Sequence, residues 1–137
     1  MPDARIAWLA ERSPRDIVTV AESAGEILGW ESLRPYKPRS GYRLTAEESV
    51  YIHHDAQGHG LGTLLLRDLF RRGRQAGYET VIAGVSAEQA PSLGLHKKLG
   101  FVPVGHLQGI GIKFDQTLDS ILMQLLPQEM TRFDRAQ

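Results

Sequence analysis

Cysteine is missing from this 137-residue chain, which excludes thiol catalysis, disulfide frameworks and cysteine-ligated zinc. Net charge is missing as well. The 16 Lys and Arg balance the 16 Asp and Glu, so no global field draws the molecule onto DNA, RNA or an anionic membrane. No uninterrupted apolar stretch approaches the ~20 residues of a spanning helix, and Met1 to Ala10 lacks the basic, apolar and small-residue order of a secretory signal. These absences lead us to expect a cytoplasmic protein without nucleic-acid or membrane partners. With 42% hydrophobic residues, a chain of this length can bury a core without disulfides or a structural metal. Glycine is the abundant oddity: most of the 14 lie between Gly58 and Gly111, where the backbone must be permissive.

The apolar periodicity predicts an α/β order. Asp3 to Arg12 reads as a short amphipathic helix stopped by Ser13-Pro14. Asp16 to Glu22 and Ile27 to Leu33 read as a β-hairpin joined by a Gly-containing turn. Arg34 to Gly41, with two prolines, is a loop, and Thr45 to His53 resumes as a strand. From Gly60 to Gly77 the period becomes helical: Leu61, Leu64, Leu65, Leu69 and Phe70 recur at three and four, with arginines on the other side. Thr80 to Val85 is a buried strand, Glu88 to Leu99 a helix closed by Gly100, and Phe101 to Leu126 is extended. We expect one domain over 1–126, then a polar tail over 127–137 that frays from Gln128.

The strand ending at His53 runs through Gly58, Gly60 and Gly62 straight into the strongest helix. Glycines there let main-chain N–H groups turn inward, and at a helix start those groups are unpaired and carry the positive end of the dipole. That is a phosphate or pyrophosphate site; alone, it equally describes an ordinary strand-to-helix turn. Gly62 is followed by Thr63 and Leu64 instead of the Lys-Ser or Lys-Thr of a nucleoside-triphosphate loop. The spacing G-x-G-x-G also differs from a dinucleotide fingerprint. His53, His54 and His59 suggest a metal only superficially: adjacent strand residues point opposite ways and no ligand spacing supports it, so no metal is expected. Arg67, Arg71, Arg72 and Arg74 read as a solvated helix side.

Gln57-x-x-Gly60-x-Gly62 after Val50-Tyr51-Ile52, and His96-x-x-Leu99-Gly100-Phe101 closing the next helix, sit where the Gcn5-related N-acetyltransferase (GNAT) superfamily has its acetyl-CoA signatures. The chain resembles that superfamily, and most closely its phosphinothricin and methionine sulfoximine or sulfone acetyltransferases. The resemblance rests on Tyr42 to His53, on Ala83-Gly84-Val85, on Gly111-Ile112-Lys113-Phe114, and on Leu118-Asp119 and Met123-Gln124; it runs from Arg5 to about Leu126. It implies a mixed, mostly antiparallel sheet flanked by helices, with the strands at Val50–Ile52 and 81–85 splayed apart. Acetyl-CoA, the implied cosubstrate, would lay its pantetheine arm along Val50, Tyr51 and Ile52. Its pyrophosphate would sit on Gln57, Gly58, His59, Gly60, Leu61, Gly62 and Thr63, with Gln89 and Ser92 completing the site.

By the same resemblance Glu47 is the general base, set against the plain reading of a solvated strand carboxylate like its neighbour Glu48. His96 is either the acid that protonates the departing CoA thiolate or a hydrogen-bonded helix histidine. Ser40, Gly41, Tyr42 and Arg43 would meet the substrate, Arg43 suiting a carboxylate or phosphinate. Relatives begin with a strand and a helix ahead of the equivalent of Arg5. Their absence here would leave Asp16 to Glu22 with an open edge that invites a second chain, in keeping with a homodimer. Thr117 stands where relatives commonly place a tryptophan. The resulting expectation is acetyl transfer to the amino group of a small amino acid or analogue by direct attack in a ternary complex. The alternative is a truncated acetyl-CoA-binding module with little turnover.

Overall fold

The structure, a computed structural model, describes residues 5–13 by main chain alone, and 15–37, 39–58 and 60–134 in full. Its centre is a seven-stranded sheet. In chain order the strands are β1 (Arg5–Ser13), β2 (Asp16–Ser23), β3 (Glu26–Pro35), β4 (Thr45–Ile52), β5 (Thr80–Ser86), β6 (Val102–Lys113) and β7 (Gln116–Leu125). They lie side by side as β1-β2-β3-β4-β5-β7-β6. Every neighbouring pair is antiparallel except β4 and β5. The crossover between those two is the helix α1 (Leu61–Gln75), as a parallel connection requires. The helices α2 (Ala90–Lys98) and α3 (Pro127–Met130) complete the order. Among the described residues no helix is long and apolar enough to cross a membrane.

Local chemistry accounts for most boundaries. The β2–β3 turn uses Ala24 and Gly25, both at positive φ, the geometry that matches strand twist in two-residue hairpins. The β6–β7 turn does the same with Phe114 (φ 52°) and Asp115 (φ 63°), of which aspartate tolerates this region better than phenylalanine. Gly77 (φ 96°) ends α1 and Gly100 (φ 106°) ends α2, as the sequence suggested. Leu66, Leu69 and Phe70 of α1 are fully buried against Leu33, Val81, Met123 and Leu125 of the sheet, and Leu65 is buried with Ala21 and Leu28. The helix also crosses close to β3, since a Cβ on Gly73 would stand 2.6 Å from Leu33 Cδ1.

Two stretches differ from the expectation. The segment read as a helix over Asp3 to Arg12 is strand β1 from Arg5, paired with β2 from Arg5 opposite Glu22 to Ser13 opposite Asp16. Its few apolar residues fit either period over so short a run, and the edge of β2 supplies hydrogen-bond partners that a lone helix would not find. The open edge at Asp16 to Glu22 is therefore covered, and the argument that it recruits a second chain falls. The expected frayed tail is also ordered over 127–134. Pro127 opens α3, Met130 is fully buried, and a 3-10 turn over Thr131–Asp134 follows. Arg132 Nη2 donates to the Leu99 carbonyl at 2.5 Å, and Asp134 holds Arg74 at 2.5 and 3.0 Å. Met130 and Phe133, three apart, were the apolar signal inside a polar stretch.

Candidate active site

Strand alternation divides β4 into two sides. Ala46, Glu48, Val50 and Ile52 face the helices, whereas Glu47, Ser49 and Tyr51 face away, opposite Arg34, Ser32 and Trp30 of β3. The parallel ladder between β4 and β5 has only four rungs, Thr45 with Thr80 through Glu48 with Ala83. Beyond it, 49–52 pair with β3 alone and 84–86 with β7 alone. The expected splay is present, and it leaves the β5-facing edge of β4 without a partner strand.

A cleft of about 720 Å3 opens from this fork. It is lined by Val50, Tyr51 and Ile52 of β4, by Ala56, Gln57, Gly58, Gly60, Leu61, Gly62 and Thr63 of the turn and α1, by Gly84, Val85 and Ser86 of β5, and by Gln89, Pro91, Ser92, Gly94, Leu95 and Lys98 around α2. Of the positions implied to hold acetyl-CoA, the structure thus brings together Val50, Tyr51, Ile52, Gln57, Gly58, Gly60, Leu61, Gly62, Thr63, Gln89 and Ser92; His59 lies outside the described residues. Among the lining features not read in the sequence, three stand out. Gly94 and Leu95 reach the cleft between Pro91 and Lys98, a helical i, i+3/i+4, i+7 spacing that could have revealed them. Among the described residues Lys98 is the sole charged group of the lining. Ser86 Oγ is buried without a hydrogen-bond partner among the described residues.

The glycine turn makes a donor site for a reason the atoms show. Gly60 (φ 77°) is the N-cap of α1, with no side-chain cap and no acidic residue in the first turn. The first helical rung runs from Leu64 N–H to the Gly60 carbonyl at 3.2 Å, so the amides before it have no helical acceptor. A Cβ at Gly58 or Gly60 would meet nothing within 4 Å, and their need for glycine is the positive φ. Gly62 is different: a Cβ there would stand 2.7 Å from Leu95 Cδ2 and 2.9 Å from Ile52 Cδ1. It lets α1 approach β4 and α2. Gln57 Nε2 braces the turn by donating to the Ile52 carbonyl at 3.2 Å.

His96 is not a cleft residue. It is 1% exposed, with Nδ1 2.7 Å from the Ser92 carbonyl and Nε2 3.0 and 3.2 Å from the two oxygens of Glu48. Each ring nitrogen thus has an oxygen partner, a main-chain carbonyl on one side and a carboxyl group on the other. Burial pushes the ring's pKa down, but the hydrogen bond and charge of Glu48, with the Ser92 carbonyl, hold it above the ordinary histidine value. The ring is buried and does not line the cleft in which a thiolate would form. Glu48, expected to be solvated, is 5% exposed beside it.

Glu47 does stand on the outward side with Ser49 and Tyr51. Its Oε1 accepts from Arg34 Nε at 3.2 Å and lies 3.1 Å from Arg34 Nη2, and its side chain stays 40% exposed. Nearby, Trp30 stacks on Tyr51 with centroids 6.4 Å apart. Ser40, Gly41 and Tyr42 form a 3-10 turn before β4, at the end opposite the glycines, and do not line the cleft. The guanidinium of Arg43 donates back to the Ser40 carbonyl at 3.1 Å. His53 and His54 do not point apart, because β4 ends at Ile52: their rings stack 4.5 Å apart, and His54 Nε2 reaches Asp55 Oδ1 at 3.0 Å. Of the four arginines on α1, Arg72 pairs with Asp68 and Arg74 with Asp134, so these two are held within the molecule.

Comparison with known proteins gives these residues a family. Residues 1–101 match the profile of the acetyltransferase (GNAT) family. The chain is 39% identical over 123 residues to the L-methionine sulfoximine/L-methionine sulfone acetyltransferase of Pseudomonas aeruginosa, covering 88% of this chain and 72% of that protein. It is 44% identical over 106 residues to the phosphinothricin N-acetyltransferase of Alcaligenes faecalis, covering 77% and 54%. A Salmonella typhimurium protein solved with acetyl-CoA as its cofactor superposes with a TM-score of 0.76 at 37% identity. That match covers 81% of this chain and 64% of the Salmonella chain.

Proposed function

Because the chain belongs to the acetyltransferase (GNAT) family, whose cosubstrate is acetyl-CoA, we propose that it transfers the acetyl group to the amino group of a small amino acid or analogue. The named relatives point to acceptors of the phosphinothricin or methionine sulfoximine and sulfone type. One observation carries the reading: uncapped amides at the start of α1, the unpaired edge of β4, the Ser86 hydroxyl, without a partner among the described residues, and Lys98 all converge on one cleft. Amides and a cation suit phosphates, and a free strand edge suits the amides of pantetheine.

In this reading the acceptor approaches from the outward side of β4, where Glu47, Tyr51 and Trp30 stand. Its neutral nitrogen attacks the thioester carbonyl carbon, the N–C bond forms, and the C–S bond breaks with its electron pair going to sulfur. Glu47 takes the proton shed by nitrogen, directly or through water. The thiolate leaves without His96; thiols of this kind have a pKa of about 8.5, so the loss is tolerable. A homodimer in the cytoplasm stays part of the reading on the family resemblance alone, and light scattering tests the assembly.

The experiment is acetyl-CoA with a panel of amino acids and analogues, following free CoA thiol. We expect release with methionine sulfoximine, methionine sulfone or phosphinothricin. Acetyl-CoA bound without release for any amine would overturn the catalytic reading.

A further inference from the structure

Helix α2 supplies one wall of the cleft, and its apolar contact with the core is confined to the half-buried Leu93 and Leu95. Within Ala90–Lys98 the one buried residue is His96. Its ring reaches Glu48 of β4, and Glu48 is the last rung before β4 and β5 part. The other ring nitrogen holds the carbonyl of Ser92, whose residue lines the cleft together with Lys98 further along the same helix. Phe101 closes the arrangement edge-on, its centroid 5.0 Å from the imidazole. A buried ion pair thus joins the crotch of the fork to the wall that faces it.

We propose that Glu48 and His96 are positioning residues that fix α2 against the root of the fork and so set the width of the acetyl-CoA cleft. The inference rests on the acetyl-CoA reading above and goes beyond it, since neither side chain touches the cleft. Apolar packing tolerates sliding, whereas a charged pair with two hydrogen bonds has one register. Either partner left alone would be a buried, uncompensated charge and would draw the helix end toward water. The pair acts before chemistry, on cofactor affinity, and not on the reacting atoms.

The test uses the intact chain, Glu48→Gln, His96→Gln and the double variant, measuring acetyl-CoA affinity by calorimetry and kcat and KM with the best acceptor. Each single variant should weaken acetyl-CoA binding and raise its KM about tenfold, and the double variant should do no worse than the poorer single one. At saturating acetyl-CoA, kcat should hold within about twofold. Unchanged affinities in the variants, with the parent chain binding normally, would overturn this inference alone. A loss confined to kcat would overturn it too and return His96 to the chemistry. A parent chain that does not bind acetyl-CoA would overturn both this and the proposed function. Should the variants not fold, nitrogen-15 NMR of the parent chain decides: a doubly protonated His96 ring whose signals shift on adding acetyl-CoA supports the inference, and a neutral ring or unmoved signals overturn it.

Discussion

Glu31, Glu47 and Glu48 are three carboxyls within two adjacent strands, and each has different surroundings. Glu48 is buried against the His96 ring, and Glu47 is half in water beside Arg34. Glu31, fully buried on β3, accepts only the Thr19 hydroxyl, and its second oxygen has no partner among the described residues. Burial above all, then the nearby Asp68 and Glu48, raises its pKa from 4.5 to about 9 despite Thr19 and Arg72. Folded protein therefore keeps a proton that the unfolded chain releases above pH 4.5, so stability falls as pH rises through that window to about 9. Glu31→Gln, which mimics the neutral acid, should stabilise by on the order of 3 kcal/mol at pH 7, the gain vanishing near pH 4; urea unfolding across pH measures it. Glu47→Gln should instead leave stability and acetyl-CoA affinity nearly unchanged and cut turnover by about 10²-fold. A pH–rate profile identical to that of the parent chain would remove Glu47 from the mechanism.

At the scale of elements, the packing of α1 explains why its turn tolerates so little. Gly62→Val would drive a side chain into Leu95 and Ile52, parting α1 from both neighbours, and should cost about 1–3 kcal/mol in thermal unfolding while weakening acetyl-CoA. The β6–β7 turn offers the opposite lever: Asp115→Gly relieves a positive φ and should add about 0.5–1 kcal/mol. Between the same two strands, Asp119 of β7 accepts from His106 Nε2 of β6 at 2.7 Å and from the Gly109 N–H at 2.8 Å across an irregularity in the ladder. These contacts hold its pKa below the ordinary aspartate value, so the brace is present above that ordinary value and is lost as pH falls through the depressed one. Much of this scale was legible in the sequence. The leucine period of α1, the three glycines and the capping Gly77 and Gly100 each carry their cause locally. Helix α2 was placed from its boundaries, but its anchor was not foreseen, because a charged histidine leaves no apolar stripe. Glu48 was read as solvated because its partner His96 lies 48 residues away and only the fold brings the two together. Strand β1 was hidden because nine residues of mixed character take their conformation from the edge they join.

For the whole molecule, the cleft is walled by both parts of the sheet, β4 with α1 on one side and β5 with α2 on the other. A ligand bound there stabilises the assembled chain by mass action: acetyl-CoA at a hundredfold excess over its Kd should add about 2.7 kcal/mol. A melting temperature unmoved by acetyl-CoA, but raised by an unrelated nucleotide, would relocate the site.

The four parallel rungs between Thr45–Glu48 and Thr80–Ala83 also have a kinetic meaning. The meander from β1 to β4 forms from contacts close in sequence, as does the β6–β7 hairpin, while this seam must wait for α1 to carry the chain back. It should be the last stitch sewn and the first to slip. Amide exchange under mild urea should release its protons ahead of those between β2 and β3, with the molecule breathing open along the line where its ligand enters.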